Sequence, residues 1–462
     1  MPTSRNAASR CWLLALLAAS GLQSALAQPT TSAPVAAGRP APARPLSLDD
    51  AVQLALTQNR QLSIAREQVS ENQYKVAELH ARNFPKLSAL AVGGYNSHTL
   101  DITIPRGAMG VYPATGPIPG ADVPVYQGSH TLVTGTVQAV QPLTQLLKIR
   151  TGEQVARQDV ALARTQVRQA EWQVRQGVEK LYYGLLIAGR QRQQAELSLQ
   201  AARRQRYDAE SARLAGKALP AQVAAAEANV ADQEQKLLAV QNQQADYAAD
   251  LNQLLGQPLD TPLALAPPEL AETPALPLAA YLAHADTASL DTRQAAQTRA
   301  KAALGVKAAR QQYLPDVALT ANYLRVQGSL LLPQNSVLVG GILNWTLYDF
   351  GERRAVVRQR ESQQKQAEAN EQHTREQVSA EVQKAYRQLQ QAAALTAAAQ
   401  KAADLRAAEL KIKRDALAAG KVLPTEVLST EATQAKAQAD LLAAQLNYRL
   451  ALTQLQHASG QF

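Results

Sequence analysis

Residues 352–419 hold no glycine and no proline. A helix running unbroken through those 68 residues would be about 100 Å long at 1.5 Å per residue. A single globular domain cannot bury such a rod, so it must lie along other rods of similar length. Composition agrees. The chain is rich in Ala, Gln, Arg, Lys, Glu and Leu, which are good helix formers, and only 4% of it is aromatic. That profile belongs to long helices or coiled coil. Residues 46–84 also lack Gly and Pro and read as one long helix, with Asp49 and Asp50 in its first turn, where carboxylates suit the helix dipole.

The start of the 462-residue chain reads as a secretory signal over 1–27. Arg5 and Arg10 supply its positive end, CWLLALLAASGL is its apolar stretch, and Ala25-Leu26-Ala27 is a small-residue cleavage site. The apolar run is too short for a membrane helix. Cleavage would leave a chain beginning near Gln28 and remove Cys11, the sole cysteine. No disulfide, thiolate metal site or thiol nucleophile is then expected, and Cys11 is badly placed for a lipid anchor. Residues 28–45 form a Pro-rich leader. The formal charge is +9, but Lys and Arg are scattered among Glu, Asp and Gln, as in REQVSENQYK. A solvated helix surface explains this better than a nucleic-acid partner. Mean hydropathy is −0.24, which excludes a bundle of membrane-spanning helices.

The chain is duplicated. Gly-Lys-x-Leu-Pro occurs at Gly216 and again at Gly420, 204 residues on. At the same offset Lys180-Leu-Tyr182 matches Lys384-Ala-Tyr386, and Leu255-Gly256-Gln257 matches Ser459-Gly460-Gln461. The apolar series Val174, Val178, Leu181, Leu185, Ala188 has its copy in Val378, Val382, Ala385, Leu389, Ala392, with the alternating spacings of a coiled-coil seam. Upstream the offset becomes 230, from Pro85 to Pro315. The first half therefore carries a Pro- and Gly-rich insertion, a loop over 96–129. The halves run 46–262 and 278–462, joined by a linker at 263–277.

In each half two segments switch to period two, over about 85–95, 130–143, 315–325 and 336–347. Their length suits tilted membrane strands, with Tyr95, Tyr323, Trp345 and Tyr348 near the ends, where interfacial aromatics sit. A small soluble sheet capping a helical bundle is the alternative. If the strands do enter lipid they must close, since an open edge there leaves backbone groups unpaired. The smallest single-chain barrels have about eight strands. Four per chain is too few, and three copies would give twelve.

The order helix, Pro-led strand, loop, strand, very long helix, Gly turn, helix, repeated once, resembles the TolC family of outer membrane efflux channels. The likeness spans about residues 46–462 and is most specific at NWTLYDFGERRAVVRQRESQ (344–363). The first-half counterpart departs from it, with Gln145-Leu146-Leu147 in place of Asp-Phe-Gly. The resemblance implies a helix-dominated fold with four membrane strands per chain. It further implies a homotrimer with a twelve-stranded barrel in outer membrane lipid, continued by a helical tunnel through the periplasm. The tunnel's far end would meet a periplasmic adaptor protein and, through it, an inner-membrane pump. Such a channel passes cargo and catalyses nothing, and the sequence offers no metal-spaced His pair, nucleophile elbow or phosphate loop. No cofactor is expected. Passage of a secreted protein instead of small molecules would use the same fold, and a non-pore coiled-coil spacer is the reading from another class.

The long helices follow the strands, so Gly216 and Gly420 mark the ends farthest from the sheet. Gly suits a left-handed helix cap, and Pro220 and Pro424 suit the first turn of a returning helix. By the family match, Gly216, Lys217, Gly420 and Lys421 are adaptor-contact candidates; a helical turn with a solvated lysine would explain the same residues. The family also carries two acids three residues apart at the periplasmic entrance, and here those places fall on Glu426 and Ser429. Only one carboxylate remains. Its first-half equivalent is Gln222. Three copies of Glu426 around an axis would make a constriction that favours cations. An acid in a first helical turn is also accounted for by the dipole.

Overall fold

The computed structural model describes residues 45–99, 101–267, 276–328 and 333–461. The expected signal peptide, with Cys11, lies outside them. So do most of the expected leader and much of the linker. The described residues open with helices α1 (Leu48–Gln58) and α2 (Arg60–Ala81), then strand β1 (Lys86–Tyr95). Short strands β2 (Ile102–Ile104), β3 (Val111–Tyr112), β4 (Gly116–Pro117) and β5 (Val123–Tyr126) follow, then β6 (Thr131–Pro142). Helix α3 (Gln145–Leu214) turns into α4 (Pro220–Leu255). The second half repeats this as α5 (Leu278–Ala288), α6 (Leu290–Gln311), β7 (Asp316–Gln327), β8 (Asn335–Asn344), α7 (Glu352–Ala418) and α8 (Pro424–Ala458). Among the described residues, no helix is long and apolar enough to cross a membrane.

The single helix expected over 46–84 is in fact two. Asn59 leaves the helical region with ψ 125°, although neither Gly nor Pro is near. Its side-chain oxygen accepts from the amides of Gln61 and Leu62 at 2.9 and 3.3 Å, and its amide nitrogen donates to Leu254 O at 3.1 Å. One residue thus caps the new helix and ties it to α4. The second half breaks at Ser289, with ψ 137°, which is Asn59 shifted by the same 230 residues as the prolines. Each break receives a glycine. Gly256 (φ 73°) ends α4 against Gln58, and Gly460 (φ 75°) follows α8 against Ala288 and Ser289.

The duplicated seam is buried. Val174, Val178, Leu185 and Ala188 on α3 are shielded, as are Val378, Val382, Ala385 and Leu389 on α7. Leu181 is partly covered. Two clusters form around them. One gathers Val52, Leu62, Tyr182, Leu251 and Leu446, and the other Tyr281, Val382, Leu389 and Leu455. At the first, the extended chain at Leu46 pairs with Leu265, and the Tyr182 hydroxyl lies 2.9 Å from Leu46 O and 2.6 Å from Ala266 O.

The four long strands form one antiparallel sheet in the order β1-β6-β7-β8. The helices above them keep that order, α2 on α3, α3 on α6 and α6 on α7. The result is one layer of wall, strands at one end and helices at the other, with β1 and β8 as the two sheet edges. The insertion expected as a loop is structured: β2 pairs with β5 and β3 with β4.

Candidate functional site

Each helical hairpin ends in the same turn. Gly216 and Gly420 both have φ 69°. The Lys217 amide donates to Ala212 O at 2.8 Å and the Lys421 amide to Ala416 O at 2.9 Å, so carbonyls at the helix end are satisfied by the left-handed cap. Pro220 and Pro424 open the returning helices. Both lysines are exposed. Around them stand Leu214, Leu219 and Leu423, exposed by 74, 68 and 62%. Leu214 and Leu219 flank Lys217 at the first tip and Leu423 flanks Lys421 at the second, so each tip is a knob that is both apolar and positively charged. Sequence reasoning singled out the lysines and missed the leucines, which look ordinary in a helical pattern and stand out only once the turn places them on its outside.

Glu426 sits in the first turn of α8 but is not bare. The Lys413 ammonium on α7 lies 2.6 Å from its carboxylate. That hydrogen bond holds the Glu426 carboxyl below the usual carboxylate range. The lone acid expected from the sequence is thus one half of an ion pair, which lowers the negative charge it presents. Ser429 is exposed, and its hydroxyl donates to Glu426 O at 2.9 Å within the helix. Next to Glu426, the Thr425 hydroxyl donates to the Asp208 carboxylate on α3, and Arg204 pairs with the same carboxylate at 3.1 Å. This contact ties one hairpin to the other near their tips. Sequence reasoning missed Asp208, Lys413 and Thr425. A signal existed: their partners at the 204 offset are Ile412, Ala209 and Ala221, so this polar set belongs to one place in each copy and is not repeated.

At the other end the sheet has two different faces. Ala89, Val137, Tyr323 and Val337 form one cross-strand row, and Leu87, Ala139, Ala321 and Val339 form the next row on that face. The opposite face carries Ser88, Thr134, Thr136, Gln138, Thr320 and Asn322 at its centre, interleaved with Leu90, Val92, Leu324 and Leu338. The apolar face is open: Leu87, Val339 and Leu343 are exposed by 73, 65 and 64%. Tyr95 stacks on the His130 ring at 5.5 Å, and the Tyr323 hydroxyl donates to Asn335 at 3.0 Å. Both lie toward the end of the sheet away from the helices. Trp345 and Tyr348 follow β8 at the helical end and are exposed. Asp349 turns the chain there, accepting from the Gly351 amide at 3.2 Å and pairing with Arg353. Among the described residues, no group of three or more His, Cys, Asp or Glu side chains is placed to hold a metal.

The family model for outer membrane efflux proteins matches residues 51–257 and 283–461. The chain belongs to the outer membrane efflux protein family. The matched segments are the two halves of the duplication, and membership places the protein at the outer membrane. Similar solved structures include CusC, a transmembrane channel, at 18% identity, with 90% of this chain and 92% of that one covered and a TM-score of 0.68. The CmeC outer membrane channel of Campylobacter jejuni aligns at 16% identity over 90% of this chain and 85% of its own, with a TM-score of 0.72. The outer membrane protein VceC of Vibrio cholerae aligns at 19% over 89 and 96%, with a TM-score of 0.67. At these identities the likeness establishes a common fold. No curated protein sequence matches the chain.

Proposed function

We propose that this efflux-family protein acts as a passive trimeric channel-tunnel, with no enzymatic step. Its role would be to carry cargo from an inner-membrane pump and periplasmic adaptor across the periplasm and outer membrane. The observation that carries this reading is the sheet: four strands, two free edges, one apolar face, and one face that mixes a Ser, Thr, Asn and Gln centre with Leu90, Val92, Leu338 and Ile342. Such a sheet cannot stay open in lipid. Three copies joined edge to edge give twelve strands, with the apolar face toward lipid and the Ser, Thr, Asn and Gln face toward water. Tyr95 and Tyr323 then mark one interface and Trp345 and Tyr348 the other. The inner wall at mid-height mixes Thr136, Gln138 and Asn322 with Leu90, Leu324 and Leu338 and holds no charge in those rows, so the barrel itself filters little by charge.

Charge selection falls to the far end. There Glu426 with Lys413, Ser429, and the Thr425–Asp208 contact line the entrance. The knobs at Gly216, Lys217, Gly420 and Lys421, with their leucines, are the surface offered to the adaptor. Six knobs per trimer would present apolar anchors ringed by cations, as protein interfaces favour. The test is outer-membrane fractionation, with gels of unheated samples in detergent and conductance in planar bilayers. Heat-sensitive trimers that form pores are expected. A soluble, monomeric chain without conductance would refute the proposal.

A further inference from the structure

Helix α2 carries two seams. The inner one, through Leu62, Ala65, Val69 and Val76, faces α3. The outer one is Ile64, Glu67, Glu71, Tyr74 and Glu78, spaced 3, 4, 3, 4. That is coiled-coil spacing, yet it points away from its own chain. Ile64 and Tyr74 are exposed by 62 and 75%. Glu67 and Glu71 are exposed and have no side-chain hydrogen bond or ion pair among the described residues. Helix α7 mirrors this with opposite charge. Its buried positions, such as Ala367, Glu371 and Val378, face its own chain. Arg354, Arg358 and Lys365 lie on the reverse side of that helix, exposed and likewise without partners.

Topology brings these stripes together. Helix α2 leads into β1 and α7 follows β8, and β1 and β8 are the two free edges of the sheet. Joining edge to edge puts α2 of one copy beside α7 of the next. From Glu78 down to Glu67 is eleven residues, and from Arg354 down to Lys365 is also eleven. Each stripe therefore spans about 16 Å. Glu78 and Arg354 both occupy the helical turn closest to the sheet, and Glu67 and Lys365 both occupy about the fourth turn from it. Arg358 falls at a height between Glu78 and Glu71. At the margins, Glu78 also pairs with Arg82 at 2.7 Å, and Glu361 beside the basic stripe is engaged by Arg310 at 2.8 Å. Lys75 borders the acidic one.

We infer that the acidic seam of α2 and the basic stripe of α7 form an ion-pair lock between neighbouring copies of this chain, in the helical wall directly beneath the barrel. The interface is heterologous, acid edge to basic edge, which is the arrangement that closes into a ring. It also rejects the wrong junctions: α2 against α2 would set carboxylates together, and α7 against α7 would set cations together. The inference rests on the trimer proposed above and names the surface that fixes it.

The test pairs two substitutions. Glu67→Cys with Lys365→Cys, which lie at the same height, in the full-length protein purified from outer membranes, is oxidised and run under denaturing, non-reducing conditions. A covalent trimer is expected, with neither single variant cross-linking. In parallel, Glu71→Arg or Arg358→Glu alone should speed trimer dissociation in detergent by about two- to fivefold, the scale of an exposed pair. The double exchange should restore the wild-type rate. Trimers that form normally but yield no covalent product, or a double exchange that adds the two losses without recovery, would overturn the lock while leaving the channel reading intact. A wild-type chain that never trimerises would instead refute the channel reading.

Discussion

Alanine at four glycines separates the conformational role of glycine from its steric one. All four have left-handed backbone: Gly216 and Gly420 at φ 69°, Gly256 at 73° and Gly460 at 75°. Forcing a side chain into that region costs roughly 1–2 kcal/mol per residue. The surroundings differ. A Cβ at Gly420 or Gly216 meets nothing within 4 Å, so the conformational term stands alone. At Gly256 it would lie 2.9 Å from Gln58 O. At Gly460 it would meet Ala288 C at 2.5 Å, Ser289 N at 2.7 Å and Ala288 Cβ at 2.8 Å. Two of those three are backbone, so no rotamer change relieves them, and overpacking of this kind adds about 1–3 kcal/mol. The expected losses are then about 1–2 kcal/mol for Gly420→Ala and Gly216→Ala, and about 2–5 kcal/mol for Gly460→Ala. Gly256→Ala should fall between. Denaturant titration of the purified protein in detergent, followed by helical circular dichroism, gives the order. If Gly460→Ala proves as mild as Gly420→Ala, the docking of α8's end into the α5–α6 break does not hold the wall together, and the reasoning fails.

Two further outcomes follow from single contacts. The Glu426 carboxyl is held low by Lys413, so their link is present above its lowered pKa and lost as pH falls through it. Lys413→Gln should bare the acid and raise cation preference in planar bilayers at neutral pH, whereas Glu426→Gln should lower it; unchanged selectivity in Lys413→Gln would remove the entrance role. Tyr182→Phe strips the hydroxyl from two part-buried carbonyls, Leu46 O and Ala266 O, and should cost about 1 kcal/mol, seen as earlier unfolding with the trimer still assembling.

Much of this architecture is legible in the sequence because it is carried by periodicity and punctuation. The Gly- and Pro-free runs, the 204-residue offset and the period-two segments each have one physical cause. The break at Asn59 was not legible. A lone Asn is a cap former but a weak stop signal in a run without Gly or Pro, and the contact with Leu254, 195 positions away, shows why the chain turns there. The same holds at the entrance. Glu426 was visible as an acid absent from the first half, but Lys413 lies one hairpin arm away and its approach is a matter of helix phase. Exposed leucines at the tips and the outward seam of α2 share a further difficulty. In a sequence, apolar heptad positions read as core, and only a structure shows that Ile64 and Tyr74 have no core to enter.

The repeat also says where to look for function. What the halves share is the scaffold: a broken first helix, a glycine docked in the break, a buried seam on the long helix, and a left-handed cap at the tip. These keep their spacing because each copy needs them to stand. What the halves do not share lies at the two ends and along the two edges. The structured insertion at 96–129 belongs only to the first half, and Asp208, Lys413, Thr425 and Glu426 have apolar or uncharged counterparts. Glu67 and Glu71 are matched at the 230 offset by Gln297 and Lys301, which face α3 within the same chain, with Gln297 bonded to Thr165 at 3.1 Å and Lys301 to Asp159 at 2.5 Å. The equivalent helix position is thus used inside the chain in one half and left open at the edge in the other. A duplicated unit that stays unclosed must differ at its edges, and the outward carboxylates of α2 are where this one does.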